Sequence, residues 1–449
     1  MTYPSLLVII AIALFVTGVQ NNLGRWRSQN IIKWDVVCYY SYLPATFIKH
    51  DVGMSFIKDE NSPGYYSYQP IKTPDGKWVI KTSMGMAILY APFFFVANAL
   101  AGPMGYEANG YSEIYHFWIL VSGLVYLLIG LWYLRKSLLM FYSERVTALT
   151  LVVIYFATNL LCYSTREAAM SHEYDVALFS IFIYASLRWH NRVHWKYSFV
   201  IGLVLGLLTL IRPVNLLFVL FPLLYGVDSR KALVSRIGLL AKQWKQLLLI
   251  ACITIAIWIP QFLYWKMITG HYLFNSYINE RFYFAHPHIL ESMLGFRKGW
   301  LIYTPVMLFA LLGMRALYKQ QRAIFPAVVT ILVVYILVIS SWWCWWYGGS
   351  FGQRAMIDLY PMLAFPLAAF LSSNVFQRNL RAGLLKGLIA VFIALNMFQT
   401  IQFHYNIIHY DSMTMRAYFN AFGKTSKADC DRSLLKAPDY EKAVRGEEE

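Results

Sequence analysis

Apolar runs of roughly 20 residues, the length that crosses a ~30 Å hydrocarbon core, recur along nearly the whole chain. They lie at 4 to 20, 84 to 101, 114 to 134, 147 to 163, 173 to 189, 197 to 226, 245 to 265, 301 to 317, 323 to 341, 356 to 372 and 385 to 404. The spans themselves therefore form the body of the protein. Charged residues make up only 14% of the chain, against roughly 25% in a soluble domain, and this excludes a water-soluble fold. The expected fold is an all-α polytopic membrane protein with about 11 transmembrane helices. The first twenty residues have neither a basic n-region nor a small-residue cleavage site, so they read as a retained first span.

The net charge of +16 is explained mostly by orientation, because Lys and Arg gather in short loops between spans. Five such loops, Arg135/Lys136/Arg145, Arg188/Arg192/Lys196, Arg230 to Lys245, Arg315/Lys319/Arg322 and Arg378/Arg381/Lys386, are expected on the cytoplasmic side. The opposite loops, 164 to 172, 212 to 215, 266 to 300, 342 to 355 and the tail, are then extracytoplasmic and hold every unusual polar motif. In 197 to 226, Arg212-Pro213-Val214-Asn215 interrupts the helix, since proline removes a donor and arginine is costly in lipid. A full span at 84 to 101 would invert the parity of all later loops if the N-terminus is cytoplasmic. That segment, with Pro92, is accordingly expected to be an interface or re-entrant helix; a full span with an outside N-terminus is the rival. Residues 1–404 then form one transmembrane domain, with 21–113 a large extracytoplasmic region bearing interface helices, and 405–449 is a short extracytoplasmic tail. The expected location is the plasma (inner) membrane, with the functional face outward.

Asp35 lies just beyond the first span in Ile31-Ile32-Lys33-Trp34-Asp35-Val36-Val37-Cys38-Tyr39-Tyr40. Burial among aromatics would raise its pKa toward that of a general base; the alternative is an interfacial aromatic belt with an incidental acid. Asp51 reads as a turn or helix-end residue. Arg166, Glu167, His172 and Glu173 crowd a connecting loop, where Glu167 and His172 could orient a hydroxyl or move a proton, or simply be solvated. Arg212 at the broken helix could point into a cavity or snorkel to the interface. Arg297 and Lys298, in a late outer loop that also carries Glu280, His286 and His288, could grip an anionic headgroup. In Ser341 to Arg354, four tryptophans precede Tyr347-Gly348-Gly349-Ser350-Phe351-Gly352-Gln353-Arg354. The tryptophans and Tyr347 suit a membrane-interface anchor or a sugar-stacking surface that would include Trp346 and Tyr347, and Arg354 stands at the mouth of the next span. Five cysteines without paired spacing indicate neither a zinc site nor a disulfide framework. The chain has no P-loop, His-Glu-x-x-His or nucleophile-elbow motif, so ATP hydrolysis and zinc proteolysis are not indicated.

With Trp34-Asp35, Ser171-His172, Arg212-Pro213, Phe296-Arg297-Lys298-Gly299 and Gly348 to Arg354, the chain resembles the GT-C superfamily of integral membrane glycosyltransferases. Its likeness is to the bacterial branch related to protein mannosyltransferases and lipid A aminoarabinose transferases. The resemblance implies an enzyme that moves a sugar from a polyprenyl-phosphate donor to an extracytoplasmic acceptor, which is protein, lipid or glycan. It assigns catalysis to Asp35, Glu167 and His172, donor phosphate binding to Arg297, Lys298, Arg354 and Arg212, and sugar or acceptor contacts to Trp34, Tyr39, Trp346 and Tyr347. It calls for no cofactor; a divalent metal is compatible but not indicated, and membrane lipids, not nucleic acid, are the other partners. Two departures are plain: Asp35 is followed by Val36 and not by a second carboxylate, and no large soluble domain follows the last span. A lipid-linked oligosaccharide flippase or a polysaccharide polymerase or ligase is the competing class.

Overall fold

The computed structural model describes residues 3–62, 64–377 and 381–447; Arg378 of the last basic loop lies outside the described residues. The protein is mainly helical, and its only sheet among the described residues is a two-stranded ribbon pairing Ile71–Lys72 with Trp78–Val79. Five helices among the described residues are long and apolar enough to cross a membrane: Pro4–Leu23, Glu113–Leu138, Trp244–Thr269, Arg354–Leu371 and Ala382–His404. The chain is therefore a membrane-embedded all-α protein.

Three of the other apolar runs are divided. The run at 147 to 163 is divided into Glu144–Phe156 and Leu160–Thr165. That at 301 to 317 divides at Thr304-Pro305 into Trp300–Tyr303 and Met307–Gln320. The run at 197 to 226 stops at Ile211, where Arg212 takes an extended conformation (φ −145°, ψ 120°). The residue before a proline is pushed out of the helical region in this way. A 3-10 turn, Pro213–Val219, and a short helix, Leu220–Leu224, follow.

Exposure separates central from peripheral helices. Of the apolar window in Arg354–Leu371, 94% is buried, but only 11% of that in Trp244–Thr269. The latter turns Ile255, Ile259, Leu263 and Met267 outward, a stripe at four-residue spacing that would face lipid. The helix Ser171–Asn191 is buried along most of its length and packs against Glu113–Leu138 and Trp195–Ile211.

The bundle has two polar ends. At one, Arg135 donates to Ser5 at the start of the first helix and pairs with Glu144 at 2.6 Å. Arg236 lies 2.7 Å from His190, and Arg322 pairs with Asp228 at 3.0 Å. These contacts bring basic loops and the chain's beginning together. At the other end lie the loops with the unusual polar motifs. The helix Gly85–Ala101 has 17 residues and packs along Glu113–Leu138, with a bond near each of its ends. Ser83 donates to Leu210 O at 2.5 Å just before it, and Asn98 accepts from Tyr115, in the first turn of Glu113–Leu138, at 2.6 Å.

Candidate functional site

The second polar end is built around two carboxylates in different settings. Asp35 opens the short helix Asp35–Tyr40, directly after Trp34, whose φ of 54° is unusual for a residue with a side chain. Its Oδ2 lies 2.8 Å from Arg354 Nη1, with 43% of the Asp35 side chain exposed and 14% of that of Arg354. The sequence led us to expect burial to raise this acid's pKa. Burial does push it upward, but Arg354 by charge and hydrogen bond, joined by Arg212 and Lys81, outweighs burial and holds the carboxyl below its ordinary value. The acid is thus ionised and engaged, not poised near neutrality.

Asp358 was not singled out from the sequence, although an acid inside the apolar run 356 to 372 is a functional candidate by default. It is fully buried and saturated. Oδ1 lies 2.8 Å from His172 Nδ1, and Oδ2 accepts from Arg212 Nη1 at 2.8 Å with the Tyr335 hydroxyl at 3.2 Å. Arg212 Nη2 donates to Ser171 Oγ at 2.8 Å and lies 3.3 Å from His172 Nε2. A guanidinium only donates, so Nε2 serves as acceptor and the imidazole proton sits on Nδ1, donating to Asp358. His172 is therefore a neutral positioning group here. Tyr39 joins the two pairs: its pKa is raised by burial and by Asp35, with Arg212, Arg354 and the Ser171 hydroxyl all acting on it in opposition.

The loop carrying Arg354 is clamped from several sides. Asn159 Nδ2 donates to Phe351 O at 3.2 Å, Ser350 N donates to Tyr410 O at 3.0 Å, and Lys298 Nζ donates to both Ser350 O and Tyr410 O. Gly352 has φ 59°, and a Cβ there would lie 2.9 Å from Tyr303 Cβ, so a glycine is needed at this turn. One guanidinium atom, Arg354 Nε, is buried without a hydrogen-bond partner.

The other expected site residues distribute as follows. Lys298 is 1% exposed; burial drives its pKa well below the lysine range, and Asp411 opposes this while Arg354 and Arg297 reinforce it. It pins loops together and does not present an open ammonium. Arg297 donates to Asp411 O at 3.2 Å and lies 5.6 Å from the Trp346 ring centre. Glu167 is not brought to Asp35; it pairs with Arg166 at 3.1 Å and Arg25 at 3.5 Å. Tyr347 feels both Arg212 and Arg354 and lies beside the cluster, whereas Trp346 is fully buried among Trp343, Trp345 and Tyr440. Trp34 is 76% exposed. Asp51 caps a turn, accepting from Ser55 N at 2.7 Å. Lys81, paired with Glu280 and set over the Tyr277 ring at 5.2 Å, is a further cation near Asp35 that the sequence did not flag.

Comparison of the chain with known protein families and with curated proteins finds no match.

Proposed function

We propose that this protein is an integral membrane glycosyltransferase of the GT-C kind, with about eleven spans. In this reading it takes a sugar from a polyprenyl-phosphate donor and transfers it, with inversion, to an extracytoplasmic acceptor. The observation that carries the reading is the Asp35–Arg354 pair: a partly exposed carboxylate against a guanidinium whose Nε is buried and unpartnered.

An anionic phosphate arriving beside Arg354 competes with Asp35 for the guanidinium, whose planar fork suits phosphate oxygens. Once Arg354 turns to the phosphate, Asp35 loses its nearest counter-charge and its basicity rises, with Arg212 and Lys81 still opposing. The acceptor hydroxyl then attacks the anomeric carbon and its proton passes to Asp35. The bond from that carbon to the phosphate oxygen breaks with its electron pair, and Arg354 stabilises the departing polyprenyl phosphate. Arg212, Asp358 and His172 hold Ser171 and Tyr39 in place around the acid.

The test is transfer of radiolabelled sugar from polyprenyl-phosphate donors by Asp35→Asn and Arg354→Ala. Both are expected to lose transfer; normal turnover in both sinks the proposal, and activity in Asp35→Asn alone demotes the acid to a structural one. The eleven-span topology rests on the helix at 85–101 staying on one side. Cytoplasmic labelling of cysteines placed between 102 and 113 would refute it.

A further inference from the structure

The glycosyltransfer reading leaves the acceptor open, and a second cleft bears on it. Beyond the Arg354 loop, a cavity of about 370 Å³ is lined by Trp342, Trp343, Trp345 and Trp346, by His286, His288 and Glu291, and by the end of the tail. That volume lies within the range of small-ligand sites. We propose that this cleft binds an uncharged glycan, the acceptor, with the C-terminal helix as one wall.

Three observations support this. The first is chemical composition: among the described residues the lining contains no lysine or arginine, and of its two carboxylates Glu447 is paired with Arg445 at 2.7 Å and Glu291 lies 4.0 Å from His288. Such a lining supplies no cation of its own to a phosphate or uronate, whereas sugar hydroxyls find acceptors in the carboxylates and imidazoles, and apolar ring faces find the tryptophans. The second is Trp343, whose Nε1 is buried with no hydrogen-bond partner. Buried donors without partners are uncommon and call for an explanation; a ligand oxygen met as the indole turns toward the cleft would supply one. The third is position: Gln353 Nε2 donates to Trp345 O at 2.8 Å, so the cleft shares a single clamped loop with Arg354 and is held in fixed relation to it.

The wall is fitted, not merely adjacent. The helix Tyr440–Arg445 sets Tyr440 5.4 Å from the Trp346 ring and 6.2 Å from that of Trp343. Tyr283 donates to Val444 O at 2.5 Å. Gly446 has φ 74°, and a Cβ there would lie 2.4 Å from the Tyr283 ring, so only glycine lets the tail close against this edge.

The proposal rests on the glycosyltransfer reading, and the experiment separates the two. Full-length protein in nanodiscs is titrated with maltotetraose, cellotetraose, mannotetraose, laminaritetraose and chitotetraose, following tryptophan emission, with tetramethylammonium and a phosphorylated oligosaccharide as charged probes. At least one uncharged tetrasaccharide is expected to saturate. Trp343→Phe keeps the ring and removes the N–H, and Glu291→Gln keeps shape and removes charge; each is expected to weaken binding about fivefold, the scale of one hydrogen bond. Arg354→Ala is expected to leave glycan binding intact while losing polyprenyl phosphate, and that arm alone reports on the glycosyltransfer reading. Saturation by none of the five, saturation only by tetramethylammonium or the phosphorylated probe, or unchanged binding in both cleft variants overturns the proposal.

Discussion

Replacing Asp358 by asparagine tests the ion cluster most directly. Asparagine keeps an oxygen that can accept from His172 Nδ1, so what is lost is the charge facing Arg212 at 2.8 Å. The carboxylate is fully buried and Arg212 only 19% exposed, so the guanidinium is left inside the protein without its counter-ion. Breaking a buried pair by removing one partner costs about 3–5 kcal/mol. Adding Arg212→Met removes the stranded cation, and the double variant should recover about 1–3 kcal/mol relative to additivity. Unfolding of purified single and double variants by sodium dodecyl sulfate in mixed micelles, followed by circular dichroism, yields the cycle. Single effects that add to within about 0.5 kcal/mol would mean the two side chains are not energetically coupled, and the account of the cluster given above would fail.

Four further outcomes are expected. Asp35 has a depressed carboxyl pKa, so its pairing contributes stability that is present above the unfolded value of about 3.9 and is lost as pH falls through the lower folded value. The melting-temperature gap between wild type and Asp35→Asn should hold from pH 8 to about pH 5 and close only in stronger acid; a gap closing near pH 6 would show a raised pKa instead. Glu167→Gln should leave transfer within about threefold of wild type and cost no more than about 1 kcal/mol, as expected for partly exposed pairs; a hundredfold loss of transfer would return Glu167 to the catalytic group. Lys298→Met should raise hydrogen exchange in 346–354 and 408–413, the segments its ammonium joins, and a uniform rise across the chain would contradict a local pin. Ser171→Ala should raise KM or lower kcat by removing an Arg212 contact while leaving the Asp358→Asn cycle unchanged, since Asp358 reaches Arg212 through a different nitrogen.

Much of the architecture is legible in the chain because membrane burial writes long apolar runs. The break at Arg212-Pro213 could be read from proline chemistry. Pairing could not be read. The sequence offers Glu167 and Asp35 as equivalent acids near spans, yet one meets Arg25 and Arg166 and the other meets Arg354. Arg25 and Arg354 are separated from those partners by more than a hundred positions of sequence, and local pattern carries no register across that distance. Burial alone also misjudged Asp35, because Arg354 at 2.8 Å, joined by Arg212 and Lys81, reverses the sign of the effect. Asp358 is an acid within an apolar run and so carries a signal of its own, but its partners His172 and Arg212 lie more than a hundred positions away in the chain.

In the glycosyltransfer reading the two carboxylates would divide the work by how much of their bonding capacity is used. Asp358 engages both oxygens with His172, Arg212 and Tyr335 and is fully buried, so a proton or ligand could reach it only by dismantling the cluster. Asp35 engages Oδ2 with Arg354, is 43% exposed, and faces a guanidinium with an unpartnered Nε. A saturated pair is suited to fixing Arg212, Ser171 and Tyr39 in place, and an unsaturated one to exchanging partners. An arriving phosphate needs only to take Arg354 from Asp35 to form a stronger bidentate contact and to leave the carboxylate with a higher affinity for protons. The anion that fills the site would thus create the base, which ties proton uptake to occupancy by the donor. The consequence is measurable: the infrared carboxyl signal of Asp35, assigned by its loss in Asp35→Asn, should shift toward the protonated form at a higher pH with polyprenyl phosphate bound than without it, and an unchanged titration would separate Arg354 from phosphate binding.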